Sequence, residues 1–205
     1  MRKMILFFIV MAMVFVFGGQ KAYSMSYAHT ACVTTHQTII NSPCSLYRVT
    51  VTNSSAANNT MYLIDGGETK ARWVIPAKDG YSFKLECRVA TNLTVKLGSA
   101  DMFVGVEYTG TTAQGWYWDA VIDTDVIDTA CGAVTDLMGV IISNNDGNTG
   151  AIVGLFDYGN SVMYFACPSL QTKYYQVEQV NYATALNVKN PHAGVCVTTI
   201  RRRYE

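Results

Sequence analysis

The chain has 205 residues, half of them hydrophobic and 15% charged, with 15 basic and 15 acidic side chains in balance. A chain with no basic excess lacks the electrostatic footprint that phosphate binding needs, which argues against nucleic acid as a partner. The length accommodates one large domain or two small ones.

Arg2 and Lys3 precede an unbroken apolar run from Met4 to Phe17, followed by a polar segment from Gly18 to Ser24. The run falls short of the roughly 20 residues of a membrane-spanning helix. Ala22-Tyr23-Ser24 puts small residues where a signal peptidase reads them, so an export signal is expected over residues 1–24, with cleavage before Met25. Ser26-Tyr27-Ala28 offers a second cut before His29, and an uncleaved N-terminal anchor is the alternative. His29-Thr30-Ala31 lacks the apolar residue of a lipid-attachment signal before Cys32, and no other stretch is long and apolar enough to span a bilayer. Removing Arg2, Lys3 and Lys21 leaves 12 basic against 15 acidic residues, a net charge of −3. The compact signal reads as a bacterial one, and the expected location is secreted, periplasmic or on the cell surface.

Beyond the signal, short runs rich in β-branched and aromatic residues follow one another: Leu46 to Thr52, Met61 to Ile64, Arg72 to Ile75, Tyr81 to Leu85, Leu93 to Leu97 and Met102 to Tyr108. Turn formers separate them, among them Asn53-Ser54-Ser55, Asp65-Gly66-Gly67 and Lys78-Asp79-Gly80. Thr109 to Gly115 is small and polar and reads as a linker. The pattern then recurs. Thr38 to Ser45 resembles Asp125 to Gly132, and Leu46 to Asn53 resembles Leu137 to Asn144. Leu63-Ile64-Asp65 matches Leu155-Phe156-Asp157, Trp73 to Pro76 matches Phe165 to Pro168, and Ala90 to Lys96 matches Ala183 to Lys189. The offset stays between 87 and 93 residues through all five blocks. Such self-similarity predicts a repeated unit. The expected fold is therefore all-β: two tandem, duplicated antiparallel β-sandwiches, Ig-like or jelly-roll-like, of about seven strands each. They would occupy residues 25–115 and 116–205; the alternative is two halves of one larger sandwich or barrel.

Six cysteines, Cys32, Cys44, Cys87, Cys131, Cys167 and Cys196, follow the signal. An even number in an exported chain favours disulfides. The alignment above equates Cys44 with Cys131. The preferred pairing is one bridge per unit, Cys44 to Cys87 and Cys131 to Cys167 or Cys196, although fifteen pairings are open.

The catalytic inventory is thin. His29, His36 and His192 are the three histidines. No Gly-x-Ser-x-Gly elbow, His-Glu-x-x-His helix or phosphate-binding glycine loop occurs, so no enzyme and no cofactor is expected. His29, Cys32 and His36 lack a fourth ligand for structural zinc. Asp119, Asp123 and Asp125 share one face of an extended strand, where calcium needs several carboxylates; a charged strand edge is the plainer reading. Trp116-Tyr117-Trp118 is the most suggestive cluster. Its two indoles project from one strand face about 7 Å apart and would suit sugar stacking, or else packing where the units meet. Thirteen tyrosines suit either a contact surface or ordinary sheet composition. Asn53-Ser54-Ser55 is one of three glycosylation acceptors that count only in a eukaryotic host, and Arg201-Arg202-Arg203 reads as a solvated tail.

Tandem exported sandwiches with paired cysteines resemble, in outline, subunits of bacterial surface fibres and adhesins. The alternation Val195, Val197, Thr199 with Tyr204 resembles the C-terminal strand of chaperone–usher pilins. That resemblance implies assembly through strand edges, but Arg201-Arg202-Arg203 departs from it, and no residue role carries over. The expected function is that of a non-catalytic structural or adhesion protein with protein partners or copies of itself. A glycan-binding module using Trp116 and Trp118 is the second reading, and an enzyme of unfamiliar type the third.

Overall fold

The computed structural model describes residues 26–31, 37–109, 116–122, 127–131, 135–158, 160–190 and 194–203. These form sixteen strands: β1 (Ser26–Ala31), β2 (Gln37–Ile40), β3 (Cys44–Asn53), β4 (Asn59–Asp65), β5 (Glu68–Ile75), β6 (Gly80–Val89), β7 (Leu93–Leu97), β8 (Met102–Thr109), β9 (Tyr117–Ile122), β10 (Ile127–Cys131), β11 (Thr135–Asn144), β12 (Ala151–Asp157), β13 (Asn160–Cys167), β14 (Gln171–Tyr182), β15 (Leu186–Lys189) and β16 (Val195–Arg203). The expected signal segment and the linker residues 110–115 lie outside the described residues.

Every strand pairing is antiparallel. Sheet I has the order β1-β8-β3-β6, sheet II β2-β7-β4-β5, sheet III β9-β16-β11-β14 and sheet IV β10-β15-β12-β13. Adding eight to each strand number of sheets I and II gives sheets III and IV. Eight strands wired in this way into two four-stranded sheets make a jelly roll, so each half has one strand more than the seven expected.

Alternation explains the layering. In β3 the residues Leu46, Val49 and Val51 are buried while Arg48, Thr50 and Thr52 are exposed. The period of two thus gives sheet I one face against the core and one against water. One core lies between sheets I and II, around Leu46, Met61, Trp73, Leu93 and Val104. A second lies between sheets III and IV, around Leu137, Val153, Tyr182, Val188 and Val197. The β4–β5 hairpin turns on Gly66 and Gly67, at φ 60° and 94°, the double positive φ that a two-residue hairpin turn requires and glycine supplies without strain.

The halves correspond in detail. Register shifts fall between Leu46 and Arg48 in one and between Leu137 and Gly139 in the other. A second pair falls between Leu63 and Ile64 and between Leu155 and Phe156. Two buried asparagines end equivalent strands. The Asn53 amide donates to the carbonyls of Ala57, Ile75 and Pro76; that of Asn144 donates to those of Thr149 and Cys167. Two aspartates anchor equivalent loops. Asp65 accepts the backbone N–H groups of Ala90, Thr91 and Asn92, and Asp157 those of Ala183, Thr184 and Ala185. Each replaces water for three loop donors that no strand ladder serves.

Four sequence expectations need correction. The shift between Thr38 and Ile40 matches that between Thr129 and Cys131, so Cys131 corresponds to Ile40 and not to Cys44, which opens β3 as Thr135 opens β11. The first aligned block was slipped by four residues. Disulfides are the second correction: Cys44, Cys87, Cys167 and Cys196 are buried thiols outside any disulfide. Cys44 faces Val89, and Cys87 faces Leu46, two positions along. Burial pushes the thiol of Cys44 up to about 12 and that of Cys167 up to about 11. Cys32 and the side chain of Cys131 lie outside the described residues. Third, Arg201-Arg202-Arg203 is no solvated tail. It closes β16, a central strand paired with both β9 and β11, and Arg201 is buried. Fourth, Asn53 cannot serve as a glycosylation acceptor, because its amide is buried and fully engaged.

Two outcomes check these statements. The N–H group of Ala185 foremost, opposed next by desolvation and joined by the N–H groups of Ala183 and Thr184, holds the Asp157 carboxyl below its ordinary value of 3.8. A carboxyl with a depressed folded pKa stabilises the fold above its unfolded value and loses that contribution as pH falls through the folded value. Asp157→Asn should therefore lower the urea midpoint at pH 7, with the gap to the parent chain closing as the pH drops through 3.8 and below. In a Cys32→Ser/Cys131→Ser chain, the remaining four thiols should resist a thiol reagent at pH 8 until denaturant is added, since the thiolate is the reacting species. Rapid native labelling of all four would contradict their burial.

Candidate interaction surfaces

The joint between the halves is made by an edge strand. β5 ends sheet II, and an edge strand leaves every second N–H and C=O without a ladder partner. Sheet III supplies the partners from its outer face. The Ser143 Oγ accepts the N–H of Val74 at 2.7 Å, and the Thr172 hydroxyl donates to the carbonyl of Val74 at 2.8 Å while lying 3.0 Å from Ser143 Oγ. The Thr198 hydroxyl donates to the carbonyl of Lys70 at 3.2 Å. Three hydroxyls on β11, β14 and β16 thus cap one edge, and β5 touches all three strands and β9 besides.

Apolar packing surrounds those bonds. Trp118, Ile141 and Ile200 of the second half belong to the core cluster of the first. Phe83 meets Trp73 at 4.5 Å between ring centroids and Tyr174 across the joint at 6.3 Å. Gly139 is needed where it stands, since a Cβ there would lie 2.9 Å from the Tyr174 ring.

The aromatic triplet lies at this joint. Trp118 is 3% exposed and its indole N–H donates to the carbonyl of Arg88 at 2.8 Å. Trp116 donates its N–H to Glu86 and accepts that of Arg88, both at 2.8 Å, and so joins the free edge of β6. Its ring has the Arg202 guanidinium 6.0 Å above it. The Tyr117 hydroxyl lies 3.2 Å from a guanidinium nitrogen of Arg88. A ring as buried as that of Trp118 offers no face to a sugar, so the paired-indole platform is corrected to a joint. A cleft of about 110 Å³ opens beside it, lined by Lys84, Glu86, Met138, Tyr174 and Gln176 among others. It is smaller than the few hundred Å³ of ordinary ligand pockets.

The aspartate cluster is not brought together by anything the structure describes. Asp119 sits on β9 opposite Thr199, its side chain and the whole of Asp123 and Asp125 lying outside the described residues. His29 pairs by its backbone with Gly105; Cys32, His36 and His192 lie outside. Among the described residues no group of three metal-ligand side chains occurs.

Sequence reasoning missed the most exposed apolar surface. Ile152 is 63% exposed, Tyr158 76%, Val162 41% and Tyr164 62%, all on β12, β13 and the turn between them. Tyr164 stands opposite Gly154, where a Cβ would come within 2.7 Å of the Phe156 ring and 3.1 Å of the Tyr164 ring. The two rings meet edge to face at 6.2 Å and so form a fixed aromatic surface. Tyr158 holds φ 46°, a left-handed conformation that costs a non-glycine residue on the order of 1 kcal/mol. The signal available in the sequence was the alternation Val162, Tyr164, Ala166, which puts apolar groups on the face that should be polar.

No family model and no curated protein matches the chain. Among solved structures, the major capsid protein P2 of bacteriophage PM2 is similar over 86% of this chain and 96% of its own, at 7% identity and a TM-score of 0.44. The stem and receptor-binding domain of spike protein P1 of the same phage is similar over 91% and 82%, at 6% identity and a TM-score of 0.22.

The joint makes a measurable claim. Thr172→Val removes the donor to the Val74 carbonyl and should destabilise the chain by about 1–3 kcal/mol, the cost of stranding a buried acceptor. Combined with Ser143→Ala, the loss should be non-additive, because both hydroxyls serve one residue. Urea unfolding of the single and double variants gives both numbers, and a Thr172→Val chain as stable as its parent would deny the joint.

Proposed function

We propose that this chain is a non-catalytic structural subunit that works by assembling with other protein surfaces, its own copies first among them. One observation carries the reading: the exposed apolar face of Ile152, Val162 and Tyr164 on β12 and β13. Monomeric soluble proteins keep contiguous apolar patches small, and a larger one with ordered rings marks a contact site. The reading includes export, an origin of the two halves in one duplicated unit, and a division near Trp116 into residues 25–115 and 116–205. The shared strand order, the paired register shifts and the Asn53/Asn144 and Asp65/Asp157 anchors support the duplication. The burial of Trp118 removes the support a glycan-binding reading had in the sequence.

Light scattering behind size exclusion, run over a hundredfold concentration range on the chain from Met25, tests this. The expected result is a mass that grows with concentration, with discrete assemblies in electron micrographs. A monomer at every concentration would overturn the proposal.

A further inference from the structure

Within the chain, an edge strand of one half seats on the outer face of the other half's sheet, and the topologically equivalent edge strand and sheet face exist a second time with different side chains. Register identifies them. Ala71 stands opposite Leu63, and Met163 opposite the corresponding Leu155. Lys70, Arg72 and Val74 of β5 therefore correspond to Val162, Tyr164 and Ala166 of β13, which ends sheet IV as β5 ends sheet II. On the receiving side, Ile141 of sheet III corresponds to Thr50 of sheet I, Ser143 to Thr52 and Cys196 to Phe103. The first pair of surfaces is consumed inside the chain. The second pair, β13 with β12 and the outer face of sheet I, is turned to solvent at opposite halves.

We propose that these two surfaces bind each other between copies of the chain: the β12–β13 face of one molecule docks on the outer face of sheet I of the next, repeating the internal joint. The proposal rests on the reading of the chain as a self-assembling subunit. Five large hydrophobic side chains are exposed among the described residues: Ile152, Val162 and Tyr164 on the β12–β13 face, Tyr158 on the turn that joins those strands, and Phe103 on sheet I, 45% exposed and opposite Thr52. The receiving face also offers hydroxyls to an edge strand, though at different places: Thr52 stands at the position of Ser143, Gly80 and Gly105 at those of Thr172 and Thr198, and Thr50 and Ser82 lie 3.1 Å apart beside Thr52. Two charge pairs lie on it, Arg48 with Glu107 at 3.7 Å and Lys84 with Glu86 at 2.6 Å. An apolar partner covering either pair would leave neither of its charges alone. Because the two surfaces differ, the contact is heterologous and passes from copy to copy, closing as a ring or continuing as a filament.

The test uses the chain from Met25 with Tyr164→Lys on one surface, Phe103→Lys on the other, and their equimolar mixture, by sedimentation velocity. Both positions are exposed, and near-ultraviolet circular dichroism confirms that each variant folds. The expected result is assembly of the parent, at least a tenfold weaker association of each variant alone, and dimers but nothing larger in the mixture. In the mixture, one intact pair of surfaces survives between unlike chains. If the parent assembles and both variants assemble equally well, the surfaces are wrong while the structural role stands. If either variant alone still forms dimers, like surfaces meet like, and if both variants and their mixture stay monomeric, the two surfaces do not bind each other; either result overturns the head-to-tail geometry. A monomeric parent removes the structural role and this inference together.

Discussion

A sheet that stops must do something with its last strand. In this chain the outer edge of β5 is satisfied by three hydroxyls, those of Ser143, Thr172 and Thr198, which project from the flat face of another sheet. Side-chain hydroxyls suit the task because each can donate or accept, so one face can serve both the N–H and the C=O of Val74. Edge-to-face docking of this kind blocks strand addition at β5 and fixes the register of the joint to single residues. The apolar packing of Trp118, Ile141 and Ile200 around those bonds keeps water from competing for them.

The two halves show how one wiring diagram supports two kinds of surface. Inward-facing positions are alike in both: Leu46 and Leu137, Val49 and Val140, Val51 and Ile142, all buried. Outward-facing positions diverge, with Thr50 against Ile141, Ser82 against Tyr174, Glu107 against Ile200 and Arg48 against Gly139. Core positions are held by packing density, since a change of one methylene there is felt. The outward positions answer to whatever covers them. The outer face of sheet III is covered by β5 and sets Ile141, Ile200 and Tyr174 around three hydroxyls; that of sheet I carries charge.

Much of the fold was legible because β-structure writes itself in local signals. The alternation from Leu46 to Thr52 and the Asp65-Gly66-Gly67 turn each rest on neighbouring residues, and each is found in place. The slipped first block shows the limit. Matching Cys44 to Cys131 aligned identical letters, whereas the ladder aligns bulge with bulge and puts Cys131 beside Ile40. The thiols failed for a related reason: residue counts favour disulfides, but pairing depends on register, and the ladder sets Cys87 against Leu46 rather than Cys44. The hydroxyls of the joint could not be read at all. Ser143, Thr172 and Thr198 are ordinary strand residues until the fold brings Val74 to them, across 69 residues of chain in the case of Ser143.

The joint also bears on what counts as a unit here. Relative motion is the usual expectation for two domains joined by a polar linker, unless their interface is large and hydrophobic. The first core cluster includes Trp118, Ile141 and Ile200 from beyond the sequence boundary at residue 116. Removing the second half would therefore uncover Phe83 where it meets Tyr174 and leave the Val74 N–H and C=O without their hydroxyl partners. Removing the first would expose Ile141, Ile200 and Tyr174 on an otherwise buried face. Each half depends on its neighbour for part of its own burial, so the halves are joined by packing more than by the chain between them. A surface made in this way presents β12–β13 and sheet I at a fixed mutual angle, the condition under which contacts between copies can repeat with one geometry.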